Sequence, residues 1–223
     1  MATTPTRTKG PKRGVKYNKA GRRLPPKVRS GRDILVLPIA VGGVLAALFI
    51  GIIVYGVVSS ANSKPASAAG IPCDQLQHSQ VHYHAAVQIV YLGNQVHIPA
   101  NIGIVGTATA PTCYYWLHVH AANQDVIHIE SPAQRVFTLG DFFQVWSAWQ
   151  GTPEPLDAKH VSTFAIQPGQ KLVVYVDAGD GKGPQLYDSD PKKIVLTSHK
   201  VITLEITPPT VSPPPAFTFP SGL

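Results

Sequence analysis

The chain has 223 residues and a formal charge of +7. All of the excess positive charge lies in the first 32 positions, which hold 11 Lys and Arg residues and no acid. The rest of the chain holds 8 basic and 12 acidic residues, a formal charge of 8 − 12 = −4, so nucleic-acid binding by its folded part is not expected.

A basic tail and a long apolar segment open the chain. Residues 1–33 are rich in Lys, Arg, Gly and Pro, cannot bury a core and are predicted to be disordered. Residues 34–58 are 25 positions without a charge, enough for a transmembrane helix. Because basic residues crowd its amino-terminal flank, the positive-inside rule places the tail in the cytoplasm and the rest of the chain outside. An uncleaved single-pass anchor is favoured over a cleaved signal, although Ala66-Ser67-Ala68 offers a cleavage site.

Small residues recur every four positions within the apolar segment, at Gly43, Ala47 and Gly51. Such a stripe lets two helices approach closely and predicts a homodimer, although it also arises by chance in spans rich in Gly and Ala. The sequence indicates no other partner besides the membrane, and it identifies no protein partner.

A β-rich domain follows a short linker. Residues 59–70 form the linker, residues 71–207 the extracytoplasmic domain, and residues 208–223 a Pro-rich tail expected to lie extended on the surface. Period-two alternation and turn residues predict strands at 81–91, 95–99, 102–105, 114–120, 126–130, 161–166, 171–177, 194–196 and 200–206. Thr138 and Asp141 predict a capping box that begins one short helix. The fold class is therefore mainly β, an antiparallel sandwich or barrel-like domain with one short helix.

The segment YYWLHVHAANQDVIHIESP is predicted to form a β-hairpin with a histidine face. If the chain turns around Asn123, antiparallel pairing sets His118 opposite His128 and His120 opposite Val126. Directly opposed side chains lie about 4.5–5.5 Å apart at Cβ, so the imidazoles of both strands would converge. The other face of the hairpin is apolar and would anchor it in a core.

A second histidine pair lies on an earlier strand, where His82 and His84 project to one side and apolar residues to the other. Side by side, the two histidine faces predict a transition-metal site, with copper or zinc as the favoured ion. The candidate ligands are His82, His84, His118, His120 and His128. Glu130 is expected to support a ligand from outside the coordination sphere or to act as general base to a metal-bound water. An ordinary surface or hairpin-pairing carboxylate is the equal alternative.

Several alternatives for this site stay open. Cys113 and His118 allow a variant blue-copper site, although no suitable Met is present, and Gln88 allows a cupin-like site with Gln in place of Glu. His78 is a possible additional ligand. The remaining histidines, His97, His160 and His199, are expected to be structural or exposed.

The chain has two cysteines, Cys73 and Cys113, and each precedes a histidine strand. Outside the reducing cytosol such a pair is most simply a disulfide, which would hold the two strands together. The alternative makes both sulfurs soft metal ligands beside the histidines.

Several of these segments together resemble a group of uncharacterised prokaryotic membrane-anchored extracytoplasmic proteins. The pattern shared by the group is C, HxHxxLxIxxxG, IPxxIGI, C followed by WLHTHD, GxIHIESP and FTLGxFF. The corresponding segments of this chain are HYHAAVQIVYLGN, IPANIGI, CYYWLHVH, VIHIESP and FTLGDFF. The resemblance covers about residues 71–150 and implies the same domain in a prokaryotic cell membrane, but no activity. Val119 and Ala121 replace the Thr and Asp of the group, and the hairpin loop is one residue longer. If that Asp is a ligand in the group, the site here is reduced.

Catalysis finds less support than binding. No GxSxG, P-loop or HExxH motif occurs. The predicted function is therefore metal binding by an anchored extracytoplasmic domain, for sensing, storage, delivery or structural support. The alternatives are a metal-dependent enzyme, either a hydrolase or cupin-like, and a metal-free cell-surface interaction domain.

Overall fold

The structure is a computed structural model, and it describes residue 14 and residues 19–23, 33–62, 67–107 and 109–223. The chain separates into two compact units, residues 1–63 and 64–223, and each is described by itself. Most of the basic tail predicted to be disordered, and part of the predicted linker, lie outside the described residues.

Among its described residues, the first unit contains one helix, α1, which spans Asp33–Asn62 and includes the whole predicted apolar segment. Its side chains are described only from Val41 to Tyr55, and the large apolar ones among them are exposed. Among the residues described, no helix is both long enough and apolar enough to cross a membrane. The membrane anchor and the homodimer stay predictions.

The second unit is rich in short strands and contains one α-helix. The strands are β1 (Cys73–Asp74), β2 (Val81–Tyr91), β3 (Asn94–Val96), β4 (Ile104–Thr107), β5 (Ala110–Tyr115), β6 (Leu117–His118), β7 (Val126–Ser131), β8 (His160–Val161), β9 (Phe164–Ala165), β10 (Lys171–Asp177), β11 (Gln185–Leu186) and β12 (Val201–Thr207). The helix, α2, spans Leu139–Gln150, and 3₁₀ turns occur at Ala121–Asn123 and Pro191–Lys193. The predicted β-rich class with antiparallel pairing and one helix is confirmed, whereas sandwich or barrel stays a prediction.

The largest sheet has the strand order β11-β10-β12-β2-β7-β6 and is centred on the long strand β2. β7 pairs antiparallel with the first half of β2, and β3 with the second half. On the other edge β12 runs parallel to β2, which differs from the purely antiparallel prediction. Period-two alternation is the same for both directions, so the sequence pattern could not distinguish them. β1, β5 and β4 form a second sheet, and β8 pairs with β9.

The hydrophobic core lies on one face of the large sheet. Alternate apolar residues of β2, β7 and β12 turn to this face, where α2 contributes Phe142 and Trp146. The capping box is confirmed, because the Thr138 hydroxyl accepts from the Asp141 N–H and the Asp141 carboxylate accepts from the Thr138 N–H. α2 ends at Gly151, whose left-handed conformation (φ 74°) suits glycine. The core thus fixes which face of each strand remains for polar side chains.

Several predicted strands differ in the structure. The one at 95–99 is shorter, since β3 ends at Val96. The one at 114–120 is interrupted at Trp116, whose indole N–H donates to Asp74, and β5 and β6 belong to different sheets. The one at 161–166 is divided into β8 and β9, which pair with each other. The one at 194–196 makes only an isolated bridge between Val195 and Thr138.

Cys73 and Cys113 form a disulfide with a Cα–Cα distance of 5.4 Å. The bond joins β1 to β5, which are paired strands of the smaller sheet. The prediction of a disulfide is therefore confirmed over the alternative of two sulfur ligands. It also removes Cys113 as a thiolate ligand, so the variant blue-copper site is wrong.

Reducing this disulfide is expected to lower the free energy of unfolding of the full chain by roughly 4 kcal/mol, because the bond closes a long loop in the unfolded chain. Urea unfolding followed by tryptophan fluorescence, with and without reductant, measures the loss. A double variant with Cys73→Ser and Cys113→Ser should show the same loss without reductant. A midpoint unaffected by reductant would contradict the stabilising role.

Candidate metal centre

Strand register builds the histidine cluster. His84 on β2 lies directly opposite His128 on β7, and His128 lies directly opposite His118 on β6. Two residues away on each of these strands, His82 of β2 lies opposite Glu130 of β7. Opposed residues project to the same side of a sheet, so all five side chains share the face that is turned away from the core. The predicted pairing of His118 with His128 is confirmed.

His120 joins the cluster in a different way from the prediction. β6 ends at His118, because the next N–H, of Val119, donates to the Ile102 carbonyl and leaves the sheet. His120 is therefore not paired with Val126 and instead precedes the 3₁₀ turn in an extended conformation. Its ring still returns to the cluster, with its Nε2 3.2 Å from the Nε2 of His118.

The potential ligand atoms fall into two sets that share one residue. The first set is His118, His120, His128 and Glu130, and the second is His82, His84 and His128. Within each set, all ligand atoms lie within 4.8 Å of one another. The five predicted ligands are thus brought together in one cluster, and these groups could hold a metal ion.

Most of the cluster is buried. His118 is fully buried, and His84, His128 and Glu130 are each at most 7% exposed. The side chain of His82 is 47% exposed and lies at the solvent-facing edge of the cluster. Buried polar atoms normally have a hydrogen-bond partner, yet neither Nδ1 nor Nε2 of His128 has one among the described residues. The His128 ring, surrounded by other imidazoles, is therefore placed where it could hold a metal ion.

The tautomer of His118 follows from its surroundings. Its Nδ1 lies 2.9 Å from the carbonyl oxygen of Tyr115, which can only accept a hydrogen bond. Nδ1 therefore carries the proton of the neutral ring, and Nε2 presents a lone pair to the cluster. A backbone carbonyl that fixes the ring in this way is the usual support of a metal-binding histidine.

Glu130 lies among the ring nitrogens instead of behind them. Its Oε1 is 3.4 Å from His82 Nε2, 3.7 Å from His128 Nδ1 and 3.9 Å from His118 Nε2. The sequence predicted an outer supporting role, whereas this position allows the carboxylate to bind an ion directly. One anionic oxygen among neutral imidazoles would offset part of the charge of a divalent cation.

The electrostatics favour neutral rings beside an ionised carboxylate. Burial lowers the pKa of His118 to about 4, against the opposing influence of Glu130 and the Tyr115 hydrogen bond. Burial, followed by the neighbouring His128 and His82, lowers the pKa of His84 to about 4. For Glu130, burial alone would raise the pKa, but His128, His118 and His82 outweigh it and the pKa is lowered. At neutral pH His84 and His118 therefore present imidazole lone pairs beside the Glu130 carboxylate.

Two supporting residues were missed from the sequence. The side-chain nitrogen of Gln77 lies 3.1 Å from His118 Nε2 and 3.0 Å from His120 Nε2, so its amide group lies between the two rings and can donate to the lone pair of His118. Gly103 packs under β6, where an added Cβ would lie 2.5 Å from the Leu117 carbonyl oxygen. Gln77 carries no local sequence signal, whereas Gly103, in the segment IPANIGI, could have been suspected of a close backbone approach.

The other histidines lie outside both sets. His78, considered as an additional ligand, has its Nε2 2.8 Å from Asp74 Oδ2. His97 lies near Asp125, His160 near Asp157 and His199 near Ser198. Their structural or exposed positions agree with the sequence analysis.

No family model, no curated protein and no solved structure matches this chain. The resemblance to the prokaryotic membrane-anchored group therefore stays a prediction. The argument for function rests on the geometry of the histidine cluster.

The metal-free protein is expected to lose stability as the pH falls from about 6.5 towards 4. In the unfolded chain His118 and His84 take up protons near their ordinary pKa of 6.5, whereas their folded pKa is about 4. Between these values the unfolded state binds more protons, so acid favours unfolding. Thermal unfolding in chelator across this range measures the slope.

A His118→Leu variant should have a shallower pH slope than the wild type, because it has no buried imidazole to protonate at this position. His160→Gln is the control, since His160 is 42% exposed and outside the cluster, and its slope should be unchanged. Equal slopes for His118→Leu and the wild type would contradict the assignment.

Proposed function

We propose that this chain is a single-pass membrane protein whose extracytoplasmic β domain binds a transition metal, copper or zinc. The proposed ligands are His82, His84, His118, His120, His128 and Glu130. The observation that carries the proposal is His128, whose two buried ring nitrogens have no hydrogen-bond partner in the described part of the chain, at the centre of the cluster. The role of such a domain would be metal sensing, storage, delivery or structural support.

The chemistry of the donor set supports copper or zinc. Imidazole nitrogens with one carboxylate suit zinc and copper, whereas calcium and magnesium prefer oxygen ligands. Both cysteines are joined in the disulfide, so a thiolate site does not compete with the histidines. Gln77 supports the same assignment, because its polarised N–H groups already lie where positive charge is favoured, between His118 and His120.

The metal-free interaction domain is the main rival. In a purely structural polar network, each buried ring nitrogen should have a hydrogen-bond partner, because leaving one unpaired costs about 1–3 kcal/mol. His128 has two such nitrogens in one ring. An ion would satisfy them, and this favours metal binding over a structural network.

The proposed location rests on three features. The apolar segment 34–58 is long enough to span a bilayer, and basic residues precede it. Large apolar side chains of α1, such as Phe49 and Ile52, are exposed, as expected of a helix that contacts lipid. The disulfide suits a compartment outside the reducing cytosol. A homodimer through Gly43, Ala47 and Gly51 belongs to the same proposal.

Metal analysis tests the proposal. The full chain, purified in detergent through a tag without histidines, is stripped with chelator, incubated with Zn²⁺ or Cu²⁺, desalted and assayed by mass spectrometry. The wild type should retain at least one equivalent of metal. His118→Ala should lower the affinity at least about tenfold, because it removes a buried ligand whose orientation is fixed by Tyr115.

Two histidines outside the cluster provide matched controls. His97→Gln and His160→Gln remove the same type of side chain and should bind metal as the wild type does. A wild-type protein that retains no metal would contradict the proposal. So would a His118→Ala variant that binds as well as the controls.

A further inference from the structure

His128 belongs to both sets of potential ligands. In the first set the other members are His118, His120 and Glu130, and in the second set they are His82 and His84. On the sheet, His128 lies on β7 between its two neighbours, opposite His118 on one side and His84 on the other. The ring contacts agree with this, since its centroid is 4.5 Å from that of His84 and 4.6 Å from that of His120.

Each set has the spacing that one ion needs. Zinc–nitrogen bonds of about 2.0–2.1 Å in a tetrahedral site separate neighbouring ligand nitrogens by about 3.3 Å. The Nε2 atoms of His118 and His120 are 3.2 Å apart, and those of His82 and His84 are 3.1 Å apart. Two histidine pairs, one on each side of His128, are thus each spaced to bind an ion.

We infer that the cluster is a two-metal centre in which the imidazole of His128 bridges the ions, with one ring nitrogen on each. The inference rests on the proposed metal binding and specifies its stoichiometry. It accounts for the lack of a hydrogen bond at both His128 nitrogens among the described residues, since a single ion would occupy only one of them. The nearest carboxylate oxygen, Glu130 Oε1, is 3.7 Å from Nδ1.

The proton balance allows two ions to bind. The neutral His128 ring carries one proton on a nitrogen, and binding of the second ion releases that proton to solvent and leaves an imidazolate. Both metal–nitrogen bonds then use lone pairs of the ring, and no oxidant or reductant is needed. Glu130 adds a second negative charge near both sets, because its Oε1 is 3.4 Å from His82 Nε2 and 3.9 Å from His118 Nε2.

The two positions differ in access. The first set offers four ligands, and its core is buried, as in closed structural metal sites. The second offers three, and one of them, His82, is 47% exposed, which leaves a coordination position towards solvent. The first ion should therefore be held tightly, and the second should exchange and be available for transfer or for a small ligand.

Metal titration of the stripped full chain tests the stoichiometry. With Zn²⁺, the wild type should bind two equivalents, the second at least about tenfold more weakly. His82→Ala removes an exposed ligand with little risk to folding, and it should weaken only the second equivalent. His160→Gln is the control and should bind two.

Copper titration tests the bridge. Two Cu²⁺ ions joined by an imidazolate couple magnetically, so the electron paramagnetic resonance signal should decrease as the second equivalent binds to the wild type. His128→Ala should abolish this decrease, and circular dichroism checks that the variant is folded. A signal that doubles in the wild type would overturn the bridge.

The outcomes separate this inference from the proposed function. One equivalent in the wild type, weakened equally by His82→Ala and His118→Ala, would overturn the two-metal centre and leave metal binding intact. No retained metal at all would overturn both.

Discussion

The pairing of β2 with β7 and of β7 with β6 is the constraint on which the site depends. It sets His84, His128 and His118 in one row across three strands. Side chains alternate strictly between faces, so a slip of one residue in either pairing would move imidazoles into the core. The slip is opposed by residues such as Ile127 and Ile129, which are fully buried on the other face. The same apolar residues that fold the sheet therefore hold the ligands.

In the absence of metal, the histidine cluster lowers the free energy of unfolding. His118 is fully buried and its pKa is lowered to about 4, so the folded protein resists its protonation. The two unpaired nitrogens of His128 add a cost of about 1–3 kcal/mol each. The apolar core and the disulfide offset this cost, and a bound ion would remove it. A sheet whose far face is anchored in the hydrophobic core suits preorganised ligands.

Local pattern predicted a good part of this arrangement. Period-two alternation identified β2 and β7 and the opposition of His118 and His128. The spacing of Thr138 and Asp141 identified the capping box. What it missed depends on distant contacts. The parallel pairing of β12 with β2 joins segments more than 100 residues apart. The alternation of apolar and polar residues is the same in parallel and antiparallel strands, so it does not predict strand direction. Gln77 reaches the cluster from an irregular segment, where neither period nor turn chemistry indicates where a side chain points.

An anomalous difference map from crystals of the zinc-loaded protein, recorded above and below the zinc edge, tests the central claim most directly. The account predicts a peak within about 2.0–2.1 Å of ring nitrogens of both His118 and His128. Peaks only at isolated surface histidines such as His97 and His160, with the cluster empty, would contradict it.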